Sequence, residues 1–154
     1  MSIIALIPVI SLKNEEFSNR DMLMLGDSPL VYHTIKAAKA SKEFSKIIVF
    51  TNSLEYKSII EEKEVEVLFF REASYKYNHN IIEKILKENN DVEENFAIIS
   101  PSFPFRSEND IKNAVNLFKK NIDKIDYCIS KDVKKNKKVF NLDGAIFLGR
   151  IETY

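Results

Sequence analysis

Short, wholly apolar segments alternate along this chain with longer segments in which apolar residues recur every three to four positions. Residues 3–7, 47–50 and 96–99 are hydrophobic at every position. Strands that are covered on both faces, as in a parallel sheet, have this continuous composition, whereas a strand with one wet face alternates. We therefore predict that these three segments are the central, buried strands of a mainly parallel sheet.

The segments between the strands predict helices with one apolar face. These helices span residues 29–41, 54–62, 80–89 and 108–120. Ser28 is the expected N-cap of the first helix, with Pro29 at its first position. Asn52 or Ser53 is the expected cap of the second helix. Ser107, followed by two acids, is the expected cap of the fourth.

Further strands are predicted at residues 65–70 and 126–130, and two short ones at 139–140 and 145–148. Strands that alternate with helices indicate an α/β protein. We predict a three-layer α/β/α fold, in which a mainly parallel, Rossmann-like sheet lies between helices and the crossovers are right-handed. Since no linker composition or internal repeat interrupts the pattern, we expect one domain over residues 1–154.

Composition narrows the class of partner. The 23 Lys and Arg residues equal the 23 Asp and Glu residues, so we expect neither nucleic acid nor membrane as a partner. No apolar run approaches the ~20 residues that span a bilayer, and no signal-peptide pattern is visible. We expect a cytoplasmic protein in which the single cysteine, Cys128, is a small buried hydrophobe. The 3 glycines form neither GxGxxG nor GxxxxGK[ST], so the dinucleotide and P-loop fingerprints are missing.

Four stretches carry motifs that occur together, in this order, in one known family. Residues 2–30 combine a strand ending in Ile-Pro, a polar loop with basic residues, and Leu-Gly-x-x-Pro-Leu at a helix start. Residues 49–53 read Val-Phe-Thr-Asn-Ser, residues 100–106 read Ser-Pro-Ser-Phe-Pro-Phe-Arg, and residues 143–147 read Asp-Gly-Ala-Ile-Phe. The set resembles the acylneuraminate (CMP-sialic acid) cytidylyltransferases, which have the nucleotide-diphospho-sugar transferase fold. Their corresponding motifs are Thr-Asp, Gln-Pro-Thr-Ser-Pro-Leu-Arg and Asn-Gly-Ala-Ile-Tyr.

The resemblance implies transfer of CMP from CTP to a nonulosonic, sialic-type sugar acid, with release of pyrophosphate and with Mg²⁺ as cofactor. It places the substrates at the carboxyl ends of the strands, where such sheets bind ligands. It implies catalytic contacts from the first loop, through Lys13, Arg20 and Asp21. It implies nucleotide contacts from the later loops and the third helix, through Thr51, Asn52, Arg71, Asn80, Ser100 and Ser102.

The resemblance also suggests a sugar site and a metal site. Arg106 is implied as the contact to the sugar carboxylate, because a guanidinium binds a carboxylate through two parallel hydrogen bonds. The alternative is a structural loop in which Arg106 pairs with Glu108 or Asp110. Asp143 is a weak candidate for a Mg²⁺ ligand. A homodimer is possible, but the insertion that usually forms it is shortened here to a lysine-rich segment at 131–138.

The first loop departs from the family pattern. Ile10 stands where the family has arginine, Ser11 and Leu12 where it has glycines, and Asp21 where it has asparagine. Because glycine lets backbone N–H groups approach a phosphate closely, part of the phosphate cradle is missing. The family's metal-binding aspartates follow the segment at Asp143, after which 11 residues remain here. We therefore predict weak or absent transfer by this chain alone. Two alternatives stay open: a degenerate relative that binds a nucleotide or a protein, and a fragment of a longer enzyme.

Overall fold

The computed structural model describes residues 1–12, 19–73, 78–89, 94–133 and 140–153, with the backbone alone at 78, 130–133, 140–144 and 153. The strands are β1 (Ile3–Val9), β2 (Met24–Leu25), β3 (Ser28–Pro29), β4 (Lys46–Thr51), β5 (Glu66–Phe69), β6 (Asn95–Ile99), β7 (Tyr127–Val133) and β8 (Phe140–Arg150). The helices are α1 (Leu30–Ser41), α2 (Leu54–Glu61), α3 (Asn78–Asn89) and α4 (Glu108–Asn121). Short 3-10 helices occupy Arg20–Met22 and Ile151–Thr153.

Six of these strands form one sheet in the order β5-β4-β1-β6-β8-β7. Strands β5, β4, β1 and β6 run parallel to one another, and β8 runs antiparallel to both β6 and β7. The three segments that we predicted as central strands are β1 and its two neighbours, β4 and β6. This result confirms the mainly parallel sheet of an α/β/α fold.

Burial explains why β1 has no polar position. Ile3, Ala5 and Ile7 face a core cluster built with α1, α2 and α4. Ile4 and Leu6 face a second cluster, built with α3 on the opposite side of the sheet. Successive side chains of a strand point to opposite faces, so a strand between two helical layers must be apolar throughout. The continuous pattern in the sequence therefore reports a three-layer arrangement.

The structure corrects the predicted start of α1. Ser28 and Pro29 pair with Leu25 and Met24 in a two-residue hairpin, β2–β3, and the helix starts at Leu30 with Pro29 as its N-cap. The prediction of Ser28 as the cap was therefore wrong, because its backbone is taken into a ladder. The other two caps are confirmed. Ser53 accepts from the Tyr56 amide, and Ser107 forms a capping box with Asp110.

The structure also corrects the two short strands predicted on either side of residue 143. Their described residues, 140 and 145–148, belong to one strand, β8, whose first residues pair with β7 and whose last residues pair with both β7 and β6. A register shift lies between Ile129 and Lys131 of β7. The Asp-Gly pair between the two predicted strands therefore lies within a strand, β8, whose pairing with β7 is irregular.

Cys128 is partly buried and packs against the first core cluster, and this burial raises the pKa of its thiol. Within the described ranges, no helix combines the length and the apolar composition that crossing a bilayer would require.

Candidate functional site

A cleft of about 750 Å³ opens at the carboxyl ends of β1, β4 and β5. It is lined by Ser11 and Leu12 after β1, residues 52–54 after β4, and Phe69 and Arg71 at the end of β5. Thr51 is in register with Val9 on one side and with Phe69 on the other. The parallel pairing therefore brings three loops that are distant in sequence to one edge of the sheet.

Asn52 joins these three loops through its side chain. Its Oδ1 atom accepts from the Ser11 amide at 2.8 Å, and its Nδ2 group donates to the Ser11 carbonyl at 3.0 Å and to the Ala73 carbonyl at 2.9 Å. Both amide hydrogens are thus used inside the protein. The neighbouring Thr51 is fully buried, and its hydroxyl accepts from the Ser53 amide at 3.2 Å. The nucleotide contacts assigned to Asn52 and Thr51 stay predictions, and this geometry favours a structural use of both side chains.

Arg71 and Asn80 are the predicted nucleotide contacts whose side chains are exposed. Arg71 lies at the wall of the cleft, directly after β5. Asn80 lies in the first turn of α3. Arg71 is therefore placed to meet a molecule in the cleft, since an arginine can both stack on a ring and donate to it.

Arg106 holds together the loop that follows β6. Its Nη1 group donates to the Ala145 carbonyl at 2.7 Å, and its Nη2 group donates to the Ser100 carbonyl at 2.8 Å. Nη2 also lies 3.5 Å from the hydroxyl of Thr34 in α1. The guanidinium thus connects the β6 loop, β8 and α1. These partners differ from the carboxylates of Glu108 and Asp110 that the structural alternative named, although the proximity of Arg106 does help to lower the pKa of Asp110, after the hydrogen bonds from Ser107.

A second groove of about 520 Å³ lies beside this loop. It is lined by residues 102–106, by Asp110, Asn113 and Ala114 of α4, and by Ala145 and Ile146 of β8. The Ser100 amide donates to the Ala145 carbonyl, which places the groove at the carboxyl end of β6. Ser102 lines the groove, while the Ser100 hydroxyl accepts from the Ser102 amide at 3.3 Å. Two openings therefore flank the end of β1 at the same edge of the sheet.

A model of the protein family described as Cytidylyltransferase matches residues 14–154. The chain belongs to the cytidylyltransferase family. It is 36% identical over 119 residues to an N-acylneuraminate cytidylyltransferase of Escherichia coli O18:K1:H7. That match covers 75% of this chain and 28% of the relative, so the chain spans little more than a quarter of the length of that protein.

Solved structures of cytidylyltransferases share the fold of this chain. One is a CMP:2-keto-3-deoxy-manno-octonic acid synthetase in complex with CTP, with a TM-score of 0.74 and 9% identity over 99% of this chain and 75% of that one. Another is a cytidylyltransferase from Leptospira borgpetersenii, with a TM-score of 0.73 and 15% identity over 99% of this chain and 62% of that one. At these identities the likeness is one of fold.

The first loop is described only at its two ends. Lys13 lies outside the described residues. Arg20 and Asp21 lie in the 3-10 helix after the loop, with the Arg20 Nε atom 3.6 Å from the Asp21 Oδ1 atom. The Arg20 side chain is 43% exposed, whereas that of Asp21 is 1% exposed. Arg20 can therefore meet a ligand, while Asp21 lies in the interior beneath it; the catalytic roles of all three residues stay predictions.

The resemblance placed Ile10 where the family has an arginine. Ile10 is 2% exposed and belongs to the core cluster on the α3 side of the sheet. Asp143 lies in β8, in the part described by its backbone alone. Among the described residues, no group of three or more His, Cys, Asp or Glu side chains is placed to hold a metal ion.

Tyr56 is a site residue that the sequence did not reveal. Its hydroxyl donates to the Asn19 side-chain carbonyl. The sequence shows Tyr56 only as an apolar-face residue one turn before Ile60. Asn19 is 37 residues away in sequence, so no local signal pointed to this contact.

Proposed function

We propose that this chain binds CTP in the cleft between β1, β4 and β5, and that the protein transfers CMP from CTP to a nonulosonic sugar acid. The observation that carries the proposal is the 36% identity over 119 residues with a protein named N-acylneuraminate cytidylyltransferase. The position of the cleft supports it, because nucleotides bind to sheets of this kind outside the carboxyl ends of the strands. The exposed guanidinium of Arg71 is suited to contact the cytosine ring.

In the proposed reaction a hydroxyl oxygen of the sugar acid attacks the α-phosphorus of CTP. The new bond is a phosphodiester in the CMP-sugar, the bond to the β-phosphate oxygen breaks, and the hydroxyl proton is lost to solvent or base. Pyrophosphate is the leaving group. Catalysis consists mostly of alignment and of charge neutralisation. Arg20 and Lys13 are the proposed cations for the phosphates, and the groove with Ser102 is the proposed site of the acceptor sugar.

The residues are compatible with Mg²⁺ held mainly by the substrate. Mg²⁺ in nucleotide sites commonly uses one or two protein carboxylates together with phosphate oxygens and water. Asp143 is the proposed carboxylate, and the ion would neutralise charge on the pyrophosphate. A homodimer is a further proposal, although the insertion that usually forms it is shortened here to the lysine-rich segment at 131–138.

A second candidate function is nucleotide binding without useful transfer. The buried Ile10 favours it, because this position supplies no cation to the leaving group. The loss of one hydrogen-bond donor to the charge that develops in the transition state lowers the rate by a factor of about 10²–10³. The loop has also lost its glycines. We expect binding to survive better than transfer, since a base contact through Arg71 does not depend on that loop.

Two measurements on the purified chain test both candidates. Calorimetric titration with CTP, UTP, ATP and GTP, each with and without Mg²⁺, should show preferential binding of CTP. A pyrophosphate-release assay with CTP, Mg²⁺ and a panel of nonulosonic acids should show turnover far below the ~1–10³ s⁻¹ of ordinary enzymes. Binding of no nucleotide would contradict the proposal. Turnover of about 1 s⁻¹ or faster would exclude the binding-only candidate.

A further inference from the structure

Both ends of the first loop are attached to the same β4–α2 unit. At the first end, Asn52 forms three hydrogen bonds, two of which fix the backbone of Ser11. At the other end, the Tyr56 hydroxyl donates to Asn19. Residues 11 and 19, which bracket residues 13–18 in sequence, are therefore each held by a side chain of this unit.

The Tyr56 hydroxyl is held rigidly. Tyr56 is 6% exposed and belongs to the core cluster beneath α2. Its own amide donates to the N-cap Ser53 at 3.3 Å, which fixes the first turn of the helix. Burial raises the pKa of the phenol, so it remains an O–H donor at neutral pH. The hydroxyl is thus a fixed donor in the interior, directed at Asn19 at the end of the loop.

We propose that Tyr56 and Asn52 are positioning residues that hold the two ends of the first loop beside the cleft, so that nucleotide affinity depends on the hydrogen bonds that these side chains form within the protein. This inference rests on the proposed binding of CTP. Ser11 lines the cleft, and Arg20 directly follows Asn19. Holding these positions before a ligand arrives lowers the conformational entropy that is lost on binding.

The first test compares Tyr56→Phe with Tyr32→Phe. Tyr32 is a matched control because its hydroxyl also donates within the fold, to the Ile59 carbonyl at 3.0 Å, but between α1 and α2. Both variants should lower the melting temperature by similar amounts. Only Tyr56→Phe should raise the dissociation constant for CTP, by about three- to tenfold, as expected for one lost hydrogen bond. Equal CTP affinity of the two variants would overturn the proposal for Tyr56.

The second test reads the loop end without any nucleotide. In Asn52→Ala, hydrogen exchange of the Ser11 amide should accelerate by about tenfold or more, because its acceptor is removed. The Ala73 amide donates to the Phe70 carbonyl and should keep its protection. Asn121→Ala is the control variant, since the Asn121 amide donates to Leu117 at the end of α4. Unchanged exchange at Ser11 in Asn52→Ala would overturn the role of Asn52.

The two tests separate this inference from the proposed function. If the wild-type chain does not bind CTP, the proposed function fails, and the Ser11 exchange rate still decides whether Asn52 fixes the loop end. For Tyr56, the NMR signals of the Asn19 side-chain amide show whether the phenol holds the other end of the loop. These signals should change in Tyr56→Phe and stay unchanged in Tyr32→Phe. If CTP binds and both variants match their controls in affinity, the positioning role is wrong while the proposed function stands.

Discussion

Arg106 shows that a side chain suited to bind a ligand can be used instead to hold the backbone. Two of its nitrogen atoms donate to the carbonyls of Ser100 and Ala145, and the second also approaches Thr34. A planar guanidinium can serve several acceptors in one plane, which a lysine ammonium cannot do. The geometry therefore assigns Arg106 first to the stability of the β6 loop.

We expect Arg106→Lys to lower the free energy of unfolding by about 1–3 kcal/mol, because the carbonyls of Ser100 and Ala145 lose hydrogen bonds from a charged donor. Urea denaturation of the variant and the wild type measures this change. Lys112→Ala, on the exposed side of α4, is the control and should stay within about 0.5 kcal/mol. An unchanged stability of Arg106→Lys, combined with loss of sugar-acid binding, would instead support the ligand role that the resemblance implied.

At the scale of elements, the contact between β6 and β8 depends on Gly149. A Cβ atom at this position would lie 2.9 Å from Cε1 and 3.0 Å from Cζ of Phe96, a ring that is 1% exposed. It would also lie 3.3 Å from the Phe147 ring. The close approach of two strands carrying aromatic rings therefore requires a residue without a side chain.

We predict that Gly149→Ala lowers the free energy of unfolding by about 1–3 kcal/mol, because an extra carbon in a packed core forces side chains or backbone to shift. Chemical denaturation checks it. The effect should largely disappear when alanine is introduced into a Phe96→Leu background, since the obstructing ring is gone. Gly26→Asn is the comparison. A Cβ atom added at Gly26 would have nothing within 4 Å, and asparagine tolerates the positive φ of 67° at this position. A full cost in the Phe96→Leu background would show that the clash is not the cause.

The strands, helix caps and loops differ in how well they could be predicted from the sequence. The central strands could be predicted because burial on both faces leaves an uninterrupted apolar run, and the caps at Ser53 and Ser107 because their side chains act within one turn. The hairpin at Ser28 could not be predicted, since two paired residues leave no periodicity. The cleft was predicted from strand ends, but the contact of Tyr56 and the backbone partners of Arg106 were missed. Their partners are distant in sequence, and those of Arg106 are mostly backbone carbonyls, which have no sequence signature.

At the scale of the whole molecule, balanced charge makes ligand binding a local property. With 23 basic and 23 acidic residues, the chain offers no overall field that attracts a triphosphate. Attraction must come from cations near the cleft, of which Arg71 is described at its wall and Arg20 lies beyond the first loop. Removing one cation at the cleft should therefore matter more than removing one elsewhere.

We expect CTP at about 100 times its dissociation constant to stabilise the fold by about 2.7 kcal/mol, which corresponds to a rise in melting temperature of roughly 5–10 °C for a domain of this size. Arg71→Ala should reduce this rise at the same CTP concentration. Lys36→Ala, on an exposed position of α1, should not. Thermal scans with and without CTP measure the difference. An equal rise in Arg71→Ala and wild type would remove Arg71 from the nucleotide site.

The central place of β1 has a consequence for synthesis on the ribosome. Its two neighbours are residues 46–51 and 95–99, so in the register that pairs Ile3 with Asn95 the second edge of β1 stays open until 92 further residues have been translated. At about 5–20 residues per second, that interval lasts roughly 5–20 seconds. For this time a wholly apolar strand has an unpaired backbone edge, the feature that promotes aggregation. We therefore expect the nascent chain to need protection from aggregation at this edge until β6 has paired with β1.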